Sequence, residues 1–173
     1  MLTLSLLRHA KSSWKSPTLE DRDRPLAARG EADAPLMGKA LARRGIDPEL
    51  VLCSSARRTR ETLALVLPEL KYEPRVVYEE SLYHAGPAGI IQMLGGIGAN
   101  VSQVLLVGHN PALHALALDL IGSGPTIMRD RLEAKLPTGA LVVINFPVGQ
   151  WKDIAVNTGE LTVFLTPREA ERD

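Results

Sequence analysis

Three short apolar runs punctuate the first two thirds of the chain: Leu2–Leu7, Leu50–Cys53 and Val104–Val107. Each ends in a polar or glycine-bearing turn and is followed by residues at helical spacing, which predicts buried strands leading into helices. Helical spacing covers Ala32–Arg44 and Arg58–Leu70, and a third helix, Pro111–Ile121, opens with proline at a first helical position. Further along, Arg75–Tyr78, Ala140–Phe146 and Leu161–Leu165 also predict strands, with Val142, Val143 and Ile144 supplying the β-branching that strands favour. A short helix is expected from near Pro87, ended by Gly95, Gly96 and Gly98, and the charged tail Glu169–Asp173 is expected to fray. Strands alternating with helices predict an α/β fold: a three-layer sandwich with a mostly parallel central sheet flanked by helices.

Composition narrows the picture. A chain of 173 residues fits one domain, and 45% apolar content supports a core without disulfides or a structural metal. Lysine plus arginine and aspartate plus glutamate each number 20, so no basic excess draws the chain to nucleic acid or to an anionic membrane. The single Cys53 rules out an internal disulfide framework and a multi-cysteine zinc site. The N-terminal apolar run is short and has no basic leader, and no run approaches the roughly 20 residues of a spanning helix. The cytoplasm is the expected compartment.

In open parallel sheets, ligands collect at the carboxyl ends of the strands. That edge would gather Arg8-His9-Ala10-Lys11, Ser54–Arg58 and Gly108-His109-Asn110-Pro111. Taken singly, each has an ordinary reading. An Arg-His pair is a surface turn, Gly-His-Asn-Pro a helix start with Asn110 as N-cap, and Arg57-Arg58-Thr59-Arg60 a solvated basic face. Positive charge at a helix start opposes the helix dipole, however, which favours a compensating anion.

Together the segments suit phosphoryl transfer, where negative charge on three oxygens needs fixed donors and cations. Arg8 and Arg58 offer guanidinium donors. His9 is placed to attack phosphorus as a neutral imidazole, with its other ring nitrogen held by a carbonyl or carboxylate. Flanking arginines are expected to lower its pKa. His109 would face it across the site and donate to a phosphate oxygen.

These residues carry a family resemblance. Leu7-Arg8-His9-Ala10-Lys11 resembles the RHG-type signature of the histidine phosphatase superfamily, with alanine at position 10 where glycine is usual. Cys53–Thr62 resembles its second motif, in a register that selects Arg58 with Thr62 four positions on, and Val107-Gly108-His109-Asn110-Pro111 resembles the third. Arg8-His9-Ala10-Lys11-Ser12-Ser13-Trp14, Asp23-Arg24-Pro25-Leu26 before Gly30, Asp33–Met37, Glu80-Ser81-Leu82-Tyr83 and Thr138-Gly139-Ala140 are similar to the SixA-like phosphohistidine phosphatase branch. The resemblance spans nearly the whole chain. It implies a phosphoglycerate-mutase-like fold without a large lid insertion, no cofactor, and a covalent intermediate on His9. Arg8, Arg58 and His109, with Asn110, would bind the phosphoryl group, and inorganic phosphate would be the product.

Phosphoester enzymes of this superfamily need a general acid for the alkoxide leaving group. Glu80 is the candidate here, with a surface carboxylate or an arginine partner as its alternative role. A phosphorylated imidazole needs a strong acid less, and only about twenty residues separate Tyr83 from the third strand, too few for a substantial lid. The expected substrate is therefore a phosphorylated histidine on a partner protein. The alternatives are a small phosphoester handled by the same histidine chemistry, or an inactive phospholigand-binding module. Cysteine-phosphatase chemistry fails on spacing, because the position after five intervening residues from Cys53 is Thr59, not an arginine. His114 is expected to pack or cap, His84 to line the rim, Lys11 and Trp14 to touch a partner from the loop after His9 (with anchoring of that loop as Trp14's alternative), and Arg57 to face solvent. Asp21 and Asp23 have a spacing that permits a metal, which the chemistry does not require.

Overall fold

The computed structural model describes residues 1–173. Its seven strands are β1 (Leu2–Arg8), β2 (Leu50–Ser54), β3 (Arg75–Glu79), β4 (Gln103–Gly108), β5 (Ile121–Ser123), β6 (Leu141–Phe146) and β7 (Gly159–Leu165). They form one sheet in the order β3-β2-β4-β1-β6-β7-β5. All neighbours pair in parallel except β6, which is antiparallel to both β1 and β7. The helices are α1 (Ala28–Arg43), α2 (Arg57–Val66), α3 (Pro87–Gly95), α4 (Ala112–Leu120), α5 (Thr126–Ala134) and α6 (Pro167–Ala170). The expected three-layer α/β sandwich is the architecture found. No helix is long and apolar enough to cross a membrane.

Alternation along the strands divides the core between the two faces, because successive side chains of a strand point oppositely. Leu50, Leu52, Val104, Leu106, Val142 and Ile144 join a buried cluster with Leu94, Leu113, Leu116 and Leu120 of α3 and α4. Val51, Cys53, Leu105, Val107, Leu141 and Val143 face the other way, onto Met37, Leu41, Leu63 and Val66 of α1 and α2. Cys53 is a fully buried member of this second cluster, and burial pushes its thiol up to about 12.

Several boundaries differ from the sequence expectation. Helix α1 starts at Ala28 rather than Ala32, because its first turn is tied to the loop after β1: Ala27 donates to Lys11 O. Gly30 lies so close to this loop that a Cβ there would overlap Lys11 O. Helix α2 stops at Val66 and tightens into a 3₁₀ turn at Leu67–Glu69, since Pro68 has no N–H to continue the ladder. Helix α4 begins at Ala112 with Pro111 as its cap, so Asn110 is not the N-cap. The chain leaves α4 at Ile121 directly into β5. The tail is also more ordered than expected: Thr166 and Glu169 form a capping box on α6, and Glu169 pairs with Arg131.

Candidate active site

Backbone hydrogen bonds fix the end of β1 from both sides. His9 N–H donates to Gly108 O at 3.0 Å, and His9 O accepts from Gly139 N–H at 2.9 Å. Gly139 can make this turn because it sits at φ +74°, a left-handed conformation costly for other residues. The next peptide is held too: Ala10 N–H donates to Thr62 Oγ1 at 3.0 Å, and that hydroxyl donates to Arg58 O at 2.7 Å. Thr62 thus couples the loop after β1 to α2.

Ala10 O lies 2.8 Å from His9 Nδ1. A carbonyl can only accept, so Nδ1 carries the proton and Nε2 keeps its lone pair. Burial of the ring, with only 6% of the residue exposed, pushes the His9 pKa down to about 3. The Ala10 bond opposes this shift, while His109, Arg58 and Arg8 add repulsion to it. His9 is therefore kept neutral mainly by desolvation, and the arginines contribute less than the sequence reading assigned them.

The His109 ring stands 5.4 Å from that of His9, centroid to centroid, tilted by 54°. The two imidazoles share one region. His109 Nε2 meets Ser54 Oγ at 2.8 Å, while its Nδ1 is buried without a partner. Burial and then Arg58 bring its pKa down to about 4, so the ring is neutral near pH 7. Ser54, fully buried at the end of β2, is a contact the sequence reading did not single out.

Arg8 donates Nη1 to Leu136 O at 3.0 Å, and Asn110 Nδ2 donates to the same carbonyl at 3.0 Å. Arg58, only 7% exposed, gives both terminal nitrogens to Asp21: Nη1 to the backbone oxygen at 2.8 Å and Nη2 to Oδ2 at 3.1 Å. Its fork is therefore engaged and only Nε is free. Asp21 also accepts from Tyr83 Oη and Arg24 Nε. Tyr83, then Arg58 and Arg24, hold its carboxyl down at about 2. Asp21 is an anchor for Arg58, and Asp21 with Asp23 joins no group of three metal-capable side chains. Asp21 and Tyr83 lie 37 and 62 residues apart from their partners Arg58 and Asp21, a separation that hid these pairings from motif reading.

Glu80 sits on the rim with 65% of its side chain exposed. Ser55 Oγ donates to its Oε2 at 2.6 Å, and Arg22 Nη2 lies 2.7 Å from Oε1. The serine hydroxyl and then the arginine hold Glu80 below the usual carboxylate range. Of the other residues, Arg57 is exposed and pairs with Glu61, and His114 meets Leu132 O, joining α4 to α5. Trp14 is exposed over the Arg24 guanidinium, and His84 packs edge-on to Tyr83.

The model of the histidine phosphatase superfamily (branch 1) matches residues 4–83, which hold Arg8, His9, Arg58 and Glu80. An uncharacterised protein of Mycobacterium leprae is 38% identical over 166 residues, covering 94% of this chain and all of that protein. Among solved structures, SixA from Agrobacterium tumefaciens, assigned as a phosphohistidine phosphatase, aligns with a TM-score of 0.81 at 30% identity, covering 96% of this chain and 98% of that one. SixA from Nakamurella multipartitia, with the same assignment, aligns with a TM-score of 0.80 at 30% identity, over 96% of both chains.

Proposed function

This chain belongs to the histidine phosphatase superfamily, and we propose that it removes phosphate from a phosphorylated histidine on a partner protein through a phosphohistidine intermediate on His9. Its fold and phosphatase class are those of the SixA-like branch. In the proposed reaction, His9 Nε2 attacks phosphorus while Nδ1–H stays on Ala10 O, which fixes the tautomer and supports the positive charge that develops on the ring. Three buried nitrogens beside it have no partner: Arg8 Nε, Arg58 Nε and His109 Nδ1. Such atoms are costly unless something accepts from them, and phosphoryl oxygens would do so once the side chains that close them off from solvent shift aside. Ser54 Oγ–H donating to His109 Nε2 puts the ring proton on Nδ1, toward this task. Water then cleaves the phosphoenzyme and releases inorganic phosphate.

The observation that carries the substrate class is the state of Glu80. A carboxylate held ionised by Ser55 and Arg22 is a poor proton donor to an alkoxide. A phosphorylated imidazole protonated on its distal nitrogen leaves as neutral imidazole and needs no such donor. The short connection from β3 to β4, a 3₁₀ turn (Glu80–Tyr83) and the nine residues of α3, supports a site open enough for a side chain on a folded partner. Such a partner belongs to histidine-based signalling, and a cytoplasmic setting accords with it. The test is a panel comparing phosphorylated histidine proteins with sugar phosphates and phosphoglycerates. Preference for the former by orders of magnitude in kcat/KM is expected; equal or faster turnover of small esters would overturn the substrate class.

A further inference from the structure

The chain holds two tryptophans in opposite settings. Trp151 is fully buried, whereas Trp14 is 71% exposed. A lone apolar side chain on the surface needs no explanation. Trp14 stands apart because of how firmly it is held and where. Its ring centroid lies 3.5 Å from Cζ of Arg24. Arg24 is itself buried: Nη1 donates to Ser12 Oγ at 2.7 Å and to Ser13 O at 3.2 Å, and Nε donates to Asp21 Oδ1 at 3.2 Å. The chain on either side is zipped together, with Ser12 bridged to Leu26 and Ser13 N–H donating to Pro25 O at 2.8 Å. The indole thus rests on an immobile guanidinium, and its motion is restricted before any partner arrives, which lowers the entropy lost on binding.

The same contacts tie this ring to the active site. Asp21, which accepts from Arg24, also accepts both terminal nitrogens of Arg58. One guanidinium and one aspartate therefore separate the Trp14 ring from a phosphate-binding arginine. Every residue from Trp14 to Asp21 is exposed, so the loop lies open beside the site. A folded partner buries about 800 Å² of each surface in a standard interface, more than the phosphorylated side chain alone provides.

We propose that Trp14 anchors the docking surface for the phosphorylated partner, a folded protein that lays an apolar side chain neighbouring its phosphohistidine on the free face of the indole. This rests on the phosphohistidine reading and deepens it. The phosphoryl group is recognised at Arg8, Arg58 and His109, and the protein that carries it is recognised at Trp14. Tryptophan is the residue type most often found to dominate such contacts. Without the ring, Arg24 keeps its three hydrogen bonds and Arg58 keeps its anchor, so the phosphate site survives the loss of Trp14.

The test uses the phosphorylated histidine protein that the panel above turns over fastest, with wild type, Trp14→Ala and Trp14→Phe. Truncation of an interface anchor costs roughly 30-fold or more in affinity. Trp14→Ala should raise KM for the protein by about that factor, with kcat and the inhibition constant of inorganic phosphate changed by less than about twofold. Trp14→Phe keeps a ring over Arg24 and should recover most of the loss. An unchanged KM in Trp14→Ala would overturn the proposal. So would a matching rise in the phosphate constant, which would make Trp14 a support for Arg24, Asp21 and Arg58. A wild type that elutes as a dimer, with Trp14→Ala a monomer of unchanged KM, would give the ring to a second copy of the chain instead. A further measurement needs no change at position 14. Because Trp151 is buried, iodide quenching of intrinsic fluorescence reports on Trp14. Adding a tryptophan-free phosphorylated histidine protein to His9→Ala should shield the ring, and undiminished quenching at saturating partner would overturn the proposal. If wild type hydrolyses small phosphoesters and no phosphorylated histidine protein, the phosphohistidine reading itself fails and the docking surface falls with it.

Discussion

The burial of two imidazoles sets a measurable dependence of stability on pH. An unfolded histidine titrates near 6.5, whereas His9 and His109 in the folded protein are pushed down to about 3 and about 4. Between these values the unfolded state binds protons that the folded state refuses, so stability falls as pH drops through 6.5 and keeps falling until the folded rings also titrate. At pH 5 both folded rings are still neutral, about 1.5 pH units below the unfolded value. Each then costs roughly 2 kcal/mol relative to neutral pH. The perturbation is His9→Gln, which removes one of the two. Urea unfolding followed by far-UV circular dichroism at pH 7.5 and pH 5 gives the loss for each protein. His9→Gln should lose about 2 kcal/mol less than wild type across that interval, with every other titrating group cancelling in the comparison. Parallel losses would refute the claim that the His9 ring is buried and neutral.

Other substitutions probe separate parts of the site. Arg58→Ala should slow turnover by about 10³- to 10⁵-fold, as arginine stabilisation of phosphoryl transfer does elsewhere, and a loss under tenfold in steady-state assays would remove Arg58 from the phosphate site. Thr62→Val leaves the buried Ala10 N–H without its acceptor and should cost about 1–3 kcal/mol in urea unfolding together with a lower kcat; unchanged values of both would discount the coupling of α2 to the nucleophile loop. Glu80→Gln should lower turnover of a phosphorylated histidine protein by less than about threefold, whereas a fall of 10²–10⁴ would make Glu80 the general acid.

Strands β1, β2, β4 and β6 were legible because both faces of each are buried, so their apolar runs are nearly continuous. The motif residues were legible as a set because the sheet brings the ends of β1, β2 and β4 to one edge. Helix α5 was not, since Leu132 is its only buried residue and leaves little periodicity to read. Strand β5 holds only three residues and pairs with β7 at two positions, too short to signal itself. The site was read less completely than the fold. Sequence spacing marks Asp21 as a metal candidate, but its charge is taken up by Arg24 and Arg58, and it accepts from Tyr83. Glu80 likewise reads as either an acid or the partner of some arginine until Arg22 and Ser55 are seen to hold it. These partners are 25 or more residues distant in most cases, and no local pattern encodes them.

Transfer to His9 is most directly tested by trapping the phosphoenzyme. A phosphorylated histidine protein carrying radioactive phosphate is mixed with the enzyme and quenched in alkali, which preserves phosphohistidine. Label should appear on the peptide containing His9 and be absent, along with turnover, from His9→Ala. Undiminished phosphate release by His9→Ala, or label on any other residue, would contradict the account.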